Sequence, residues 1–445
     1  MGGSMKRSGW LRFFFNVGVS IVILGGVAFG HPEEGRRKIV VFEKGTSGQT
    51  QELMTRQAGG RILHRLPLVG GIALELPKGR TLQMLERLKR NAAVVGVYED
   101  HVIGADHVIS LKPVELPATE LFPWGVERIG TPAVFDLVAS QSVWKPKVAV
   151  IDTGIDREHP ELKDYIVSGY NARAGEDPTD YQDYNGHGTH MAGIIAAASD
   201  GQGIIGVASH PMLVAVKVLD STGHGYLSDL INGLQWVADH DIRVVNMSLS
   251  FSEDSPLLEQ ATKKLSRSGV IMVAAAGNRC TFSSDSGGDD DGGDDDGGDD
   301  DGGDDDGGDS GCDISQDPLQ GGVKYPARYS WVLAVGATNV YDEVMGYSRS
   351  GPEVDLVAPG GSKASGRILS TIRGGEYGFG SGTSQATAHV TGAVAAVLQV
   401  AGNLSADEVK DLLQTTAKDL NYPSERQGAG LIAVDKMIKK LMGLP

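Results

Sequence analysis

The sequence lacks an excess of basic residues, since 40 Lys and Arg stand against 57 Asp and Glu in 445 residues, a formal net charge of −17. Thirteen of these negative charges come from aspartates within residues 287–309, so the rest of the chain is nearly neutral. Proteins that bind nucleic acid usually carry a basic patch, and this composition predicts no such partner. With 40% hydrophobic and 22% charged residues, the chain also cannot be disordered throughout. We therefore expect a globular protein with one acidic insert.

The acidic insert has none of the residues that build a folded core. Between Gly287 and Asp306 the unit Gly-Gly-Asp-Asp-Asp repeats four times. Glycine raises the backbone entropy of the unfolded chain and aspartates repel one another, so such a segment has no means of burying apolar surface. We expect residues 285–311 to form a disordered loop, whose carboxylates also offer weak binding of Ca²⁺.

An apolar segment near the N-terminus indicates export. The run Phe13–Phe29 follows three basic residues, and Ala28 and Gly30 supply small residues at the positions that signal peptidase recognises. Residues 1–30 are predicted to be a signal peptide. A signal anchor is the alternative, because the run reaches the lower limit of about 17 residues for a membrane span. In both cases the remaining chain is expected to be secreted or extracytoplasmic, with a membrane contact only if the segment stays uncleaved.

Cysteine is almost absent, and the two cysteines, Cys280 and Cys312, lie on either side of the acidic repeat. An exported chain meets an oxidising compartment, in which disulfides form and persist. We expect a disulfide between Cys280 and Cys312 that closes the acidic loop. Two free thiols are the alternative.

The apolar pattern divides the rest of the chain into two folded units. Residues 31–103 combine short strands with one helical stripe and predict a small α+β domain. Residues 104–123 contain three prolines and no sustained pattern, which indicates a linker. In residues 124–445, continuous apolar strands such as Val148–Ile151 alternate with helical stretches. This alternation predicts a doubly wound α/β domain whose mostly parallel sheet is covered on both faces.

Three short motifs place reactive side chains at the ends of predicted elements. Asp152 follows an apolar strand and precedes a glycine turn, and the carboxyl edge of a parallel sheet is where α/β sites form. His187 lies in the motif Asn-Gly-His-Gly-Thr-His before one helix, and Ser384 lies in Gly-Ser-Gly-Thr-Ser-Gln-Ala before another. Each motif alone has a structural interpretation, such as a helix cap. Together they follow the chain order Asp, His, Ser of the subtilisin triad.

These motifs resemble those of the subtilisin-like serine proteases, the subtilases, and the resemblance extends from about residue 123 to residue 442. It implies a three-layer catalytic domain in which Ser384 is the nucleophile, His187 its general base and Asp152 the residue that orients the imidazole. The segment that ends in Asn278 resembles the oxyanion segment of the family, so Asn278 would donate to the tetrahedral oxygen. No organic cofactor is implied.

The unit at residues 31–103 resembles the ferredoxin-like propeptide of such proteases, including its similar ending Glu99–Val102. The resemblance implies a precursor whose propeptide assists folding, inhibits the enzyme and is removed by self-cleavage within residues 104–123. It also favours a monomer that acts on proteins or peptides.

Two further segments resemble the strands that pair with an extended substrate in this family. The predicted substrate-binding residues are Gly223, Gly225, Ser248, Leu249 and Ser250. Lys324 stands where the family often has a pocket-lining glycine, and Arg279 stands on the other side of the insert. These cations either favour an acidic substrate side chain, or pair with the aspartates of the insert or face solvent. Gln385 replaces the usual methionine after the nucleophile.

Glu161 and Asp200 match family positions that hold a stabilising Ca²⁺ together with backbone carbonyls of the loop at residues 199–206. Glu161 is one methylene longer than the usual aspartate, and two ordinary surface carboxylates are the alternative interpretation. The sequence therefore predicts an exported serine endopeptidase made as a self-processing precursor. The rival hypothesis is a non-catalytic, calcium-dependent secreted scaffold on the same fold.

Overall fold

The computed structural model of the chain describes residues 36–105, 108–109, 112–141, 144–279 and 322–444. Residues 1–30, the insert at 285–311 and both cysteines, Cys280 and Cys312, lie outside the described residues. The export signal, the disordered loop and the disulfide therefore stay predictions. Within the described part of the chain, no helix is both long enough and apolar enough to cross a bilayer.

A four-stranded antiparallel sheet with two helices forms the N-terminal unit. Its strand order is β2-β3-β1-β4, which is the ferredoxin-like arrangement that the sequence predicted. One sheet face packs Val40, Ile72 and Leu74 against the helices. The elements are β1 (Arg37–Phe42), α1 (Gly48–Gln57), β2 (Arg61–Leu66), β3 (Gly71–Glu75), α2 (Thr81–Lys89) and β4 (Val94–Glu99).

A seven-stranded sheet, in which every pair of neighbouring strands is parallel, organises the larger unit in the order β14-β13-β12-β11-β7-β9-β8. Its strands are β7 (Lys147–Asp152), β8 (Ile166–Asn171), β9 (Met212–Lys217), β11 (Val244–Met247), β12 (Ile271–Ala275), β13 (Leu333–Thr338) and β14 (Leu356–Pro359). The predicted doubly wound α/β domain is confirmed, with strand boundaries that differ by a few residues from the apolar runs.

Helices cover both faces of this sheet. The larger-domain helices are α3 (Trp124–Arg128), α4 (Phe135–Gln141), α5 (His187–Ala196), α6 (Leu227–Ala238), α7 (Pro256–Arg267), α8 (Thr383–Val400), α9 (Ala406–Thr416), α10 (Ser424–Gln427) and α11 (Val434–Met442). Alternate residues of β7 point to opposite faces, so Val148 and Val150 join the core beneath α5 and α8, whereas Ala149 and Ile151 join the core beneath α6 and α7. The three predicted layers follow from this alternation.

The N-terminal unit packs directly on α6 and α7. Ile39, Leu66 and Ala73 belong to the same buried cluster as Leu230 and Leu258 of these two helices. Two hydrogen bonds from the side chain and backbone of Ser228 to Asp100, each 2.8 Å, tie the end of the unit to the first turn of α6. A carboxylate at a helix N-terminus satisfies exposed backbone amides and complements the helix dipole.

Two short strands lie at the junction of the N-terminal unit and the predicted linker: the first covers the end of the unit and Gly104, and the second lies inside the linker. Strand β5 (Val102–Gly104) pairs with β10 (His224–Tyr226), and strand β6 (Val108–Ile109) pairs with β16 (Glu376–Ser381). Strand β15 (Ile368–Ile372) lies on the other side of β16. The pairing partners are more than 100 residues away in sequence, which explains why no local pattern predicted these strands.

Candidate active site

Three of the predicted site residues follow adjacent strands of the parallel sheet. Asp152 is the last residue of β7, Ser248 comes directly after β11, and Asn278 comes three residues after β12. Because these strands are neighbours and parallel, their carboxyl ends meet at one edge of the sheet. Helices α5 and α8, which begin with His187 and Thr383, pack on each other above this edge.

Asp152 and His187 form a buried pair. The Oδ1 atom of Asp152 lies 2.7 Å from Nδ1 of His187, and both side chains are fully buried. Asp152 Oδ1 also accepts a 2.7 Å hydrogen bond from the backbone N–H of Thr153, which fixes the orientation of the carboxylate. A carboxylate can only accept a hydrogen bond, so the imidazole of His187 carries its proton on Nδ1. Its other nitrogen, Nε2, is therefore the one that can accept a proton.

The glycine after His187 allows helix α5 to approach β7. A Cβ atom built on Gly188 would overlap the carbonyl oxygen of Gly154 and would lie 3.1 Å from the Cβ of Asp152. The backbone N–H of Gly188 donates instead to the hydroxyl of Thr153, at 2.9 Å. The Gly in the His-Gly-Thr motif therefore brings the histidine within reach of the aspartate.

Asp183 holds the start of α5 and was missed by the sequence analysis. Its Oδ1 accepts from the hydroxyl of Thr153 at 2.9 Å and from the N–H of Gly186 at 2.8 Å. Its Oδ2 accepts from the N–H of Thr189 at 2.9 Å. The N-cap position of α5 is occupied by Gly186, and Asp183 lies three residues before it, so no capping pattern in the sequence identifies Asp183.

Ser384 lies in the first turn of α8, a helix of 18 residues that is buried over almost its whole length. Its hydroxyl donates to the carbonyl of Ser248 at 3.2 Å, and the Ser248 hydroxyl donates to the Ser384 carbonyl at 3.0 Å. These two bonds join the start of α8 to the end of β11. The first turn of a helix carries partial positive charge, which favours negative charge that develops nearby.

Asn278 is oriented by the residue that precedes Ser384. Its Oδ1 atom accepts from both the backbone N–H and the hydroxyl of Thr383, each at 3.1 Å. The amide oxygen is thereby directed toward the start of α8, so the NH₂ group of the same side chain points away from Thr383. Asn278 is 2% exposed and Ser384 is also 2% exposed.

Two other buried histidines lie close to the site and stay neutral. Burial lowers the pKa of His190 to about 3, with a further lowering from the nearby His187. Burial likewise lowers the pKa of His389 to about 4, and its Nδ1 contacts the carbonyl of Gln385 at 2.8 Å. The histidine that hydrogen-bonds to Asp152 is His187, so we assign both of these rings to packing.

The two predicted substrate-binding segments enclose part of the chain itself. Gly104 pairs with His224, and its carbonyl accepts a 3.0 Å hydrogen bond from the N–H of Ser250. The N–H of the next residue, Ala105, donates to the carbonyl of Gly223 at 3.1 Å. Leu249, between the two serines, is 1% exposed and belongs to the core rather than to the surface of the groove.

On the other side of Ser384, the short strand β6 pairs with the end of β16. Val108 is opposite Ser381 and Ile109 is opposite Gly380, at the end of β16. Residues 102–105 and 108–109 therefore lie on opposite sides of the first turn of α8.

Glu161 and Asp200 lie at one loop, as the calcium prediction requires, but differ in burial. Glu161 is 3% exposed, and its Oε1 accepts from the hydroxyl of Tyr377 at 2.5 Å and from the N–H of Ile204 at 3.3 Å. Burial is the main cause that raises the pKa of Glu161 to about 7. Asp200 is exposed and accepts from the N–H of Gln202. Among the described residues, no three acidic, histidine or cysteine side chains are grouped as metal ligands.

The chain is similar to known proteins over most of its length. Residues 145–430 match the model of the subtilase family. Over 410 residues the chain is 34% identical to subtilisin E of Bacillus subtilis, which covers 92% of this chain and 91% of that protein. It is also 37% identical over 317 residues to the intracellular serine protease of Paenibacillus polymyxa, covering 70% of this chain and 84% of the relative.

Proposed function

Because the chain belongs to the subtilase family of serine endopeptidases, we propose that it hydrolyses peptide bonds in proteins with Asp152, His187 and Ser384 as its catalytic residues. The observation that carries this assignment is the 2.7 Å contact between buried Asp152 and His187 Nδ1. It prepares the other ring nitrogen, Nε2, to accept a proton from a serine hydroxyl.

The proposed reaction has two halves. The Ser384 oxygen forms a bond to the carbonyl carbon of the substrate while its proton passes to His187 Nε2. The C–N bond then breaks, and His187 returns the proton to the leaving amine, which leaves an acyl-enzyme. Water attacks the acyl carbon in the same way, so that the acid product and the serine hydroxyl are regenerated. Asp152 stabilises the imidazolium in both halves.

Asn278 and the backbone N–H of Ser384 are the proposed donors to the tetrahedral oxygen. Thr383 holds the amide oxygen of Asn278 at 3.1 Å, which supports the use of its NH₂ group as a donor. Hydrogen-bond donors that are already oriented stabilise the negative charge on the tetrahedral oxygen without having to reorient, whereas water molecules would have to reorient as that charge develops.

The positions of residues 102–105 and 108–109 support self-processing of a precursor. The chain binds the two proposed substrate segments on one side of Ser384 and the end of β16 on the other. We infer that the unit at residues 31–103 acts as an inhibitory propeptide, that cleavage occurs within residues 104–123, and that residues 124–445 form the catalytic domain. Export by residues 1–30 and a monomeric mature enzyme complete the proposal.

A structural Ca²⁺ is proposed at Glu161. Its Oε2 atom is buried and has no hydrogen-bond partner among the described residues, which suits a carboxylate ligand of a hard cation. Gly203 packs against the same carboxylate, so the loop at residues 199–206 is close enough to add carbonyl oxygens. Asp200 is the second proposed ligand. Bound Ca²⁺ would stabilise this loop and takes no part in the proposed chemistry.

The test compares the exported protein with a Ser384→Ala variant. Gel mobility reports removal of the propeptide, and unfolded casein reports endopeptidase activity. We expect the wild type to shorten and to cleave casein, and the variant to keep its full length and to leave casein intact. Identical behaviour of the two proteins would instead favour the non-catalytic scaffold.

A further inference from the structure

We propose that the carboxylate of Asp229, in the first turn of α6, is the group by which the larger domain recognises its inhibitor, and that the partner this surface fits is a sheet that presents two basic side chains. In this chain the partner is the N-terminal unit, and its basic side chains are Arg37 and His64. The inference deepens the proposed function, since it rests on the N-terminal unit acting as the inhibitor and names the contact that retains it after self-cleavage.

Two basic side chains of the N-terminal unit converge on one oxygen of Asp229. The Oδ1 atom of Asp229 lies 2.6 Å from Nε2 of His64 on β2, and it accepts a 3.3 Å hydrogen bond from the guanidinium of Arg37 on β1. A carboxylate only accepts hydrogen bonds, so Nε2 of His64 carries a proton and donates it. The third donor to the same oxygen, at 3.2 Å, is the N–H of Ala174 in the larger domain. Two of these three donors therefore come from the N-terminal unit.

The contact is buried in an interface that is otherwise apolar. Asp229 is 1% exposed, Arg37 is 7% exposed and His64 is 8% exposed. Leu66 of β2 and Leu230 of α6 belong to one buried hydrophobic cluster in the same interface. An isolated carboxylate in such surroundings is strongly disfavoured, whereas a carboxylate that is paired and hydrogen-bonded is tolerated. The burial of Asp229 is therefore acceptable because the N-terminal unit supplies basic partners.

These partners keep Asp229 ionised. Burial alone would raise the pKa of its carboxyl group, but the hydrogen bond from His64 and the charge of Arg37 outweigh burial and hold the pKa below its ordinary value. When one partner of a buried pair is removed, an uncompensated polar or charged group stays behind, and the penalty is large. A sheet without basic residues at these two positions should therefore bind the larger domain poorly.

Asp229 is separate from the contact that caps α6. The guanidinium of Arg37 donates to Asp100 at 2.8 Å and to the hydroxyl of Ser228 at 2.9 Å, and it lies 3.6 Å from the centroid of the Tyr226 ring. Asp100 in turn accepts from the backbone N–H of Ser228. Because Asp100 already satisfies the first turn of the helix, the carboxylate of Asp229 is left for recognition of the N-terminal unit.

The charge of Asp229 also makes the contact reversible. After the N-terminal unit leaves, water reaches this carboxylate, and a hydrated carboxylate in the first turn of a helix is favourable. A leucine at the same position would instead leave apolar surface exposed on the free enzyme. The ionised contact therefore discriminates between inhibitors without leaving an apolar patch behind.

The first test measures amide hydrogen exchange in the full-length chain with Ser384→Ala, so that no self-cleavage is needed. The N–H of Leu227 donates to the carbonyl of His101, and the N–H of Ser228 donates to the carboxylate of Asp100, both at 2.8 Å. These two amides of the larger domain are protected by the N-terminal unit. Their exchange rate therefore reports how often the unit separates from α6.

Asp229→Leu should speed this exchange by about tenfold or more, because two buried basic side chains lose their carboxylate. Adding His64→Leu to this variant should slow the exchange again, since two apolar side chains then pack where the polar pair was. Asp239→Leu, at the exposed position directly after α6, is the matched control and should keep the original rate.

The second test follows activation of the cleavable precursor. Gel mobility gives the time of self-cleavage, and hydrolysis of casein gives the time at which activity appears. The interval between the two measures how long the cleaved N-terminal unit stays bound. We expect Asp229→Leu to shorten this interval by about tenfold relative to wild type and to Asp239→Leu.

Three results would overturn the inference: exchange at Leu227 and Ser228 that Asp229→Leu leaves unchanged, no recovery when His64→Leu is added, or an unchanged interval before activity. Casein cleavage that depends on Ser384 would still support the proposed function in each of these cases. A precursor that never cleaves casein would contradict the proposed function instead, and the exchange experiment would still decide whether Asp229 holds the N-terminal unit.

Discussion

The Oδ1 atom of Asp152 and the Nδ1 atom of His187 lie 2.7 Å apart in a fully buried pair that joins the end of β7 to the start of α5. The same carboxylate oxygen is fixed by the N–H of Thr153. This contact sets which nitrogen of the imidazole is basic, and the proposed chemistry depends on that choice.

Asp152→Asn should therefore abolish most activity while preserving the fold. An asparagine at this position is able to donate its NH₂ to Nδ1, which selects the wrong tautomer and places the proton on Nε2. We expect kcat to fall about 10⁴-fold, the loss known for this type of change in a serine protease triad. The rate at which the wild-type and variant precursors shorten on gels measures the effect, because self-processing depends on the same chemistry, and circular dichroism checks the folding. A loss below tenfold would mean that Asp152 does not set the tautomer.

The parallel sheet, which the structure confirms, and the residues of the proposed triad were both predictable from the sequence, because they lie in local patterns. Apolar runs such as Val148–Ile151 identify buried parallel strands, and short glycine-rich motifs identify His187 and Ser384. Asp183 was missed because a lone acidic residue before a helix has many interpretations, and only its hydrogen bonds to Thr153, Gly186 and Thr189 reveal its role. The strands at residues 102–104 and 108–109 were missed because their hydrogen bonds join segments that are distant in sequence.

Replacing Asn278 by Asp tests the oxyanion donor without removing the acceptor that Thr383 requires. The Asp side chain keeps an oxygen for the N–H and hydroxyl of Thr383 but has no NH₂ group to donate. We expect kcat to fall about 10²–10³-fold, a magnitude taken over from subtilisin, with a much smaller change in KM. Thr383→Ser, which keeps the hydroxyl, is the matched control and should stay close to wild type. An increase in KM with unchanged kcat would assign Asn278 to substrate binding.

Gln385 should make the enzyme resistant to peroxide. This residue directly follows the nucleophile and is fully buried, and a glutamine side chain does not form a sulfoxide. In Gln385→Met, hydrogen peroxide should inactivate the enzyme, whereas wild type should keep its activity. Residual casein cleavage after timed exposure is the measurement. Equal inactivation of both proteins would show that another residue is the oxidation target.

The same substitution should stabilise the fold. Neither polar atom of the Gln385 amide has a hydrogen-bond partner among the described residues. A buried amide without partners costs about 1–3 kcal/mol, so Met, which has a similar volume, should raise the free energy of unfolding by that amount. Denaturant unfolding on a Ser384→Ala background, which prevents self-digestion, measures the difference. A less stable variant would imply that the amide is satisfied in solution.

Glu161 should make stability depend on pH when Ca²⁺ is removed. Its pKa is raised to about 7 in the folded protein from an ordinary value near 4.5, mainly by burial. Folding therefore favours the neutral carboxyl group. The resulting contribution of Glu161 to the free energy of unfolding is fully present below about pH 4.5 and is lost as the pH rises through about 7. In EDTA, Tm should fall over this window in wild type but not in Glu161→Gln.

Added Ca²⁺ should reverse this loss at pH 8 in wild type, because the ion stabilises the charged carboxylate. Glu161→Gln should respond weakly, which gives a readout independent of activity. The exposed Glu425→Gln on α10 is the control and should behave as wild type. The calcium assignment fails if Ca²⁺ raises the Tm of wild type and Glu161→Gln equally, or of neither.

The most direct test of the central claim is covalent labelling of the nucleophile by phenylmethylsulfonyl fluoride, followed by mass spectrometry of the digested protein. A serine reacts readily with this reagent only when a base accepts its proton. The account predicts one adduct per molecule of wild type, located on Ser384, and almost none in His187→Ala. An adduct on a different serine, or equal labelling of Ser384 in the two proteins, would contradict the proposed catalytic triad.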